Sequence, residues 1–304
     1  MPNGKVSIIM RSKNSDWVIA STLNALFSQR FSQFELTIID SGSTDNTLNI
    51  INQYPVKLIH INPEDYYPGR VLNQAIKTTD SEIIVFINSD SVMLSPNSLG
   101  NLLASFDNQN TAAAFGRQIP RPDAHTWVRR DYAISFPEQG PPPPWITFSL
   151  PLAAFRREAW VKHNFYTDAW ASEDTEWGHW AKANDQEVQY VPSALTMHSH
   201  NYTLKQIAGR RFVEGEADAF IYQTRDTSSQ RLWEYLKSCI RDITPHLKPL
   251  DLFGLMAIPV RRAIYHWSYF RGNRLGTKRI NAGPVKQDKD QRVGQRVVLH
   301  SNGH

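Results

Sequence analysis

The sequence predicts an α/β fold: a mostly parallel central sheet flanked by helices, followed by a helical C-terminal extension. Three observations carry this. Short runs rich in β-branched residues alternate with helical patterns through residue 108, at about thirty residues per pair, as parallel strands joined by crossover helices require. Several runs end in a polar cluster, where open α/β sheets bind their ligands. From Leu204 onward the apolar spacing is helical.

Val6–Met10 reads as the first strand and Arg11-Ser-Lys-Asn-Ser-Asp16 as a polar loop. Residues 17–27 carry apolar side chains at 19, 20, 23, 26 and 27, a helical period. Glu35–Ile39 is the second strand, and its end, Asp40-Ser-Gly-Ser-Thr-Asp45, precedes a helix over Thr47–Ile51 that Ser43 or Asp45 is placed to cap. Val56–Ile61 is a strand, Arg70–Lys77 a helix, and Ile83–Ile87 a strand buried on both faces. Ala112–Phe115 and Ile146–Phe155 read as extended, with an irregular stretch at 120–144 made rigid by four prolines at 141–144. A helix is expected over Glu173–Ala183, short strands over Glu187–Val191 and Ala194–His198, and helices over 204–222, 229–241 and about 249–270. The tail from Lys278 is polar, lacks a helical stripe and is expected to be flexible.

The central motif is Asn88-Ser89-Asp90 at the end of the fourth strand. Residues two apart in an extended segment face one side, so Asn88 and Asp90 form an oxygen pair suited to a hard divalent cation completed by substrate phosphates; a plain turn uses the same residue types. In Asp40–Asp45, Gly42 permits a tight turn, and the acids suit a ribose or a base or else an Asx turn. Gly69 and Arg70 open a helix, as an anion site or as an ordinary surface start. Glu173 and Asp174 are adjacent acids at a helix start: a general base, or charges that favour the helix dipole. His198 and His200, two apart at a strand end, are metal-ligand types pointing one way.

In order, Val6-Ser-Ile-Ile, Ile39-Asp-Ser-Gly-Ser-Thr-Asp-Asn-Thr47, Gly69-Arg-x-x-Asn73, Asn88-Ser-Asp90, Glu173-Asp174 and Val191-Pro-x-Ala-x-x-x-His198 resemble the family 2 glycosyltransferases, inverting enzymes of the GT-A fold. His198-Ser-His-Asn-Tyr-Thr-Leu204 before a basic helix is similar to the bacterial rhamnosyltransferase branch. The resemblance implies a GT-A catalytic domain over 1–205, with a nucleotide-binding half to about 110 and an acceptor-binding half over 111–205. A helical extension over 206–277 and a tail over 278–304 follow. It implies transfer of a sugar from a nucleotide-diphosphate donor to an acceptor hydroxyl in bacterial surface polysaccharide or glycolipid synthesis, with Mg²⁺ or Mn²⁺. Asp174, beside Glu173, is the implied base; Asp90 and His198 are the implied metal ligands, with Asn88 standing where the family has an acid. The candidate nucleotide-sugar contacts are Arg11, Asn14, Asp40, Ser41, Gly42, Asp45, Arg70, Asn73, Asn88 and Ser89. A saccharide or lipid-linked acceptor is implied. A sugar nucleotidyltransferase is opposed by the glycine-free loop 11–16, and a non-catalytic scaffold by the intact Glu173-Asp174.

Net charge is +4, too little to argue for nucleic acid, and no nucleic-acid motif is present. The single Cys239 excludes an internal disulfide and points to a reducing compartment. Residues 1–10 lack a signal-peptide plan, so the expected location is cytoplasmic, peripheral at the inner face of the membrane. Residues 231–279 hold ten Lys or Arg against three acids, interleaved with aromatics, which suits an anionic membrane surface; a helical cap or a homodimer contact is the alternative.

Overall fold

The computed structural model describes residues 6–243, 252–282 and 293–301. Strands are β1 (Val6–Ser12), β2 (Phe34–Asp40), β3 (Lys57–His60), β4 (Ile83–Asn88), β5 (Val92–Met93), β6 (Thr111–Ile119), β7 (Leu152–Arg156) and β8 (Glu187–Met197). Helices are α1 (Ile19–Phe27), α2 (Thr47–Ile51), α3 (Pro68–Lys77), α4 (Ser98–Ala104), α5 (Thr126–Ser135), α6 (Arg157–Lys162), α7 (Glu173–Ala183), α8 (Leu204–Tyr222), α9 (Ser228–Ile243), α10 (Leu252–Asn281) and α11 (Val293–Ser301). The described chain forms two compact units. The first holds the sheet and draws on Met1–Ala124, Val128–Phe165 and Asp174–His200; the second, helical, draws on His125–Trp127, Tyr166–Glu173 and Asn201–His304.

The sheet order is β3-β2-β1-β4-β7-β6-β8-β5. β1, β2, β3 and β4 pair in parallel. β7 then inserts antiparallel between β4 and β6, β8 runs parallel to β6, and β5 closes the edge antiparallel to β8. The sheet is therefore mixed and largely parallel. Successive residues of a strand face opposite sides. Ile8, Met10, Val85 and Ile87 pack with Leu23 and Leu26 of α1 and Leu99 and Leu102 of α4. Ile9, Ile84 and Phe86 pack on the other face with Val71, Leu72 and Ile76 of α3, Trp160 of α6 and Trp177 of α7. Burial on both faces explains why these strands read as continuous apolar runs.

Three expectations are corrected. The stretch 120–144 contains α5, whose only buried residue is Val128, so it shows little apolar stripe. The two short strands after 187 are one, β8, with a register irregularity opposite Gly116 and Arg117. A Cβ at Gly116 would lie 2.4 Å from the Ala194 carbonyl oxygen, so glycine permits that close approach. The segment expected to be a flexible tail includes the end of α10 and the helix α11. Residues 1–5, 244–251, 283–292 and 302–304, Lys248 and Asp251 among them, lie outside the described residues.

In the helical unit, α8 opens with a capping box, in which the side chains of Thr203 and Gln206 each accept the other's backbone N–H. α8 and α10 then meet at backbone distance: a Cβ on Gly215 would fall 2.1 Å from the Tyr269 oxygen, and one on Gly272 1.8 Å from the Phe212 oxygen. Charges fill the remaining interior. Asp242 is chelated by Arg261 at 2.7 Å and by Arg262 at 2.7 and 2.8 Å. Buried Glu216 pairs with Arg279, which also donates to the Asp168 carbonyl at 2.6 Å. Burial pushes the Asp242 carboxyl up, but the two guanidiniums outweigh it and hold it below the ordinary range.

The packing reverses the usual helix rule. Alanine normally stabilises a helix over glycine by about 1 kcal/mol. Gly272→Ala will instead destabilise the helical unit by about 2–3 kcal/mol, because the two backbones must part. Gly100→Ala in α4, where a Cβ meets nothing within 4 Å, will be neutral or stabilising. Urea unfolding of the two variants checks the opposite signs.

Candidate functional site

The loops that follow β1, β2 and β4 are stitched together by side chain to backbone hydrogen bonds. Asp40, fully buried at the end of β2, accepts the N–H groups of Gly42 and Ser43 at 3.0 and 2.8 Å on Oδ1 and the Ser43 hydroxyl at 2.5 Å on Oδ2. This is an Asx-type turn, and the carboxylate is turned inward. Gly42 has φ +83, and a Cβ there would strike Pro63 at 2.7 Å, so this position needs glycine. Asn14 donates its N–H to Ser43 at 2.8 Å and accepts that of Thr44 at 2.8 Å. The Asp16 N–H reaches Asp45 at 3.1 Å, and the Ser15 N–H reaches the Thr47 hydroxyl at 2.7 Å. Asp45 accepts the Thr47 N–H at 3.0 Å, but the first turn of α2 has no side-chain cap from Ser43. Burial raises the Asp45 carboxyl, but the hydrogen bonds from Thr47 and Asp16 together outweigh it and hold it low.

The third loop joins through Ser89, whose hydroxyl lies 2.7 Å from that of Ser15 and whose N–H donates to the Arg11 carbonyl at 3.2 Å. Ser41 is buried, its hydroxyl donating to the Ser12 carbonyl at 3.3 Å. Arg11 and Asn88 are register partners across β1 and β4, and Arg11 reaches the Tyr66 hydroxyl at 3.4 Å. Arg70 is exposed, its guanidinium 4.8 Å from the Tyr67 ring centre. Asn73 has a different place from the one expected of a ligand contact. Its oxygen accepts from the Trp160 indole at 2.9 Å and the Phe165 N–H at 3.1 Å, and its amide donates to the Phe165 carbonyl at 2.7 Å. It pins α3 to α6 and the chain that follows.

The electrostatic centre lies where β4 turns into β5. Asp90 is approached by His198 Nε2 at 3.7 Å and His200 Nε2 at 3.1 Å, and one ligand atom from each of the three residues fits within 4.8 Å of the others. The two imidazoles stand edge to face, their centres 5.0 Å apart. Behind them, His198 Nδ1 lies 2.8 Å from Gln118 Oε1, while Gln118 Nε2 donates to the Ser149 hydroxyl at 2.8 Å. With its amide so oriented, Gln118 accepts the Nδ1 proton, so Nε2 is the nitrogen turned toward Asp90 and the one that would ligate a metal once it carries no proton. A carboxylate and two imidazoles converging in this way form a donor set that fits a divalent cation. Arg121 donates to the Asp90 carbonyl at 2.6 Å and lies 4.6 Å from the centre of the exposed Trp17 ring. Burial pushes the Asp90 carboxyl up, but His198, His200 and Arg121 outweigh it and keep it well below the usual carboxylate range.

Asp174 connects to this centre through the chain. Ser149 holds Gln118, and the next residue, Leu150, donates its N–H to Asp174 at 3.3 Å. Leu150 also lines a small hollow with Arg11 and Asn88. Asp174 is partly exposed, whereas Glu173 is buried, so of the two acids Asp174 is the one open to a reacting group. Sequence reasoning singles out His200 as a partner of His198 but not as a third ligand, and it misses Gln118, Ser149 and Arg121. Their residue types are ordinary in loops and strands, and only the pairing of β6 with β8 brings them into place.

Residues 7–171 match the family described as Glycosyl transferase family 2. The chain is 28% identical over 193 residues to the O-antigen chain rhamnosyltransferase WbaN of Salmonella anatum, covering 60% of this chain and 61% of that one. It is 25% identical over 224 residues to the O-antigen chain rhamnosyltransferase RfbN of Salmonella typhimurium, covering 69% and 71%. Among solved structures it resembles the mannosyltransferase PcManGT of Pyrobaculum calidifontis, in complex with GDP-Man and Mn²⁺ (TM-score 0.58, 16% identity, 97% of this chain and 80% of that one). It also resembles TarS residues 1–349 of S. aureus (TM-score 0.54, 18% identity, 92% of each chain). The shared fold is that of the GT-A glycosyltransferases.

Removing the support behind His198 tests the trio without touching it. Gln118→Leu will weaken Mn²⁺ binding by about 10- to 100-fold, read by titration calorimetry on the full chain.

Proposed function

The chain belongs to glycosyl transferase family 2 and is a glycosyltransferase, and we propose that it moves a sugar, with inversion, from a nucleotide-diphosphate donor to an acceptor hydroxyl. The observation that carries this reading is the convergence of Asp90, His198 and His200 beside the strand ends, linked through Gln118, Ser149 and Leu150 to Asp174. The likeness to the two rhamnosyltransferases supports rhamnose as the sugar and a lipid-linked saccharide of a bacterial surface polysaccharide as the acceptor.

Asp174 takes the proton of the acceptor hydroxyl as its oxygen forms a bond to the anomeric carbon. The bond from that carbon to the diphosphate breaks on the opposite face, and its electron pair leaves with the phosphate. A divalent cation held by Asp90, His198 and His200 would neutralise the charge on that leaving diphosphate. Two imidazoles beside one carboxylate favour Mn²⁺ over Mg²⁺, which prefers oxygen ligands. Arg121 adds a fixed positive charge at the same end of the site. The stitched loops after β1 and β2 offer Asn14, Ser43, Thr44 and Asp45 at the donor's nucleoside end, with Asp40 acting behind them to hold the loop.

Two measurements test this. With Mn²⁺ and a lipid-linked saccharide acceptor, nucleoside-diphosphate rhamnose will exceed UDP-glucose and GDP-mannose in kcat/KM, read by mass spectrometry of the product; equal or lower use of rhamnose removes the sugar assignment. Asp174→Asn will lower kcat by about 10²- to 10⁴-fold while nucleotide binding stays within about twofold of the parent, and an unchanged kcat removes the base assignment.

A further inference from the structure

α10 is built inside out. Its buried positions are mostly polar, charged or small: Arg261, Arg262, His266, Ser268, Gly272, Asn273, Gly276 and Arg279, with Ile258 the one large apolar exception. Five of its large apolar side chains face outward: Leu252 is 61% exposed, Phe253 88%, Met256 77%, Val260 55% and Trp267 61%. At 100° per residue these positions share one arc of about 100°. The same arc continues C-terminally into Arg271, Arg274 and Lys278, all exposed. α9 repeats the pattern. It buries Ser238 and Asp242 and exposes Leu232, Trp233, Leu236, Ile240 and Ile243.

The cations divide into two classes. Arg261, Arg262 and Arg279 are buried and neutralised by Asp242 and Glu216. Arg271, Arg274 and Lys278 form no ion pair among the described residues, and α10 contains no Asp or Glu at all. An exposed apolar stripe in water is unfavourable unless something covers it. The cover must accept apolar side chains along the first half of the stripe and supply negative charge along the second. A two-fold contact with another copy through this face offers no carboxylate from α10 to meet the three cations. An anionic lipid surface supplies both: acyl chains for Phe253, Met256 and Val260, headgroup depth for Trp267, and acidic headgroups for Arg271, Arg274 and Lys278. We propose that the exposed face of α10 binds the surface of an anionic membrane with the helix lying in the interface. No described helix is long and apolar enough to cross a membrane, which agrees with a surface mode. This inference does not rest on the reaction proposed above, since vesicle binding is read without turnover.

Flotation of the full chain with vesicles of 70% phosphatidylcholine and 30% phosphatidylglycerol, against pure phosphatidylcholine, tests it. The parent will float with the anionic vesicles and detach as salt rises. Arg271→Glu/Arg274→Glu/Lys278→Glu will lower the partition coefficient by about 100-fold, and Phe253→Ser/Met256→Ser/Trp267→Ser will abolish binding, both with unchanged thermal midpoints because every changed side chain is exposed. Reversing Arg30, Lys77 and Lys182, exposed cations of the sheet unit, will leave binding within about twofold. Failure of the parent to float, or equal loss in this last variant, overturns the proposal. So does a dimer in sedimentation that the apolar triple variant dissociates while vesicles recover no protein.

Discussion

The candidate site depends on a two-residue pairing. β5 meets β8 through Val92 opposite Met197 and Met93 opposite Thr196, continued by the Leu94 N–H to the Leu195 carbonyl at 3.1 Å. Asp90 precedes that contact and His198 follows it, so their meeting is set by this register. On its other edge, β8 is held to β6, where the His198 N–H bonds the Ile119 carbonyl at 3.0 Å and the Arg121 N–H bonds the Ser199 hydroxyl at 2.9 Å. β8 is thus clamped from both sides at the point where it delivers its histidines. A slip of one residue would turn each side chain to the opposite face and dissolve the trio, the Gln118 support and the Arg121 contact together. The irregularity opposite Gly116 and Arg117 lies just upstream, where it adjusts the phase of β8 before its ligands emerge.

Much of this is legible in the residues. Continuous apolar runs mark β1, β2 and β4 because each is buried in the sheet interior, whereas β3 lies at the sheet edge with Lys57 and His60 exposed, and the helical patterns over 47–51, 173–183 and 204–222 coincide with the observed bounds. The polar clusters after those strands locate the loops, and the Asn88–Asp90 and His198–His200 spacings locate the strand ends. What escapes depends on topology. No local pattern says that β7 inserts antiparallel between β4 and β6, nor that Gln118 stands behind His198. Asp40 illustrates a different limit. A carboxylate after a strand serves equally to bind a ligand or to close a turn, and its neighbours Gly42 and Ser43 supply the N–H groups that fill it from inside.

The C-terminal helices show why charge counts mislead. Ten cations against three acids in 231–279 suggest one uniform basic surface. In the fold, part of that charge is interior: Asp242 gathers two arginines, Glu216 gathers a third, and Arg231 is held by Asp226 at 2.6 Å. The backbone contact of Gly215 and Gly272 leaves little room between α8 and α10 for large apolar groups. Paired charges and small residues occupy the inside, and bulky apolar residues are left outside. The composition anticipates both the cations and the aromatics, but their division between interior and surface follows from helix packing alone.

The two segments that supply the candidate cation site, at Asp90 and at His198–His200, are separated by more than a hundred residues of chain, with β5, α4, β6, α5, β7, α6, α7 and β8 between them. The trio therefore forms only when these distant segments are brought together by the β5–β8 and β6–β8 pairings, and an ion bound there would favour the folded over the unfolded chain. Saturation at a hundredfold excess over Kd would add about 2.7 kcal/mol to the stability of that unit. Divalent-cation supply would then govern how long the polypeptide survives proteolysis in the cell, apart from any effect on turnover.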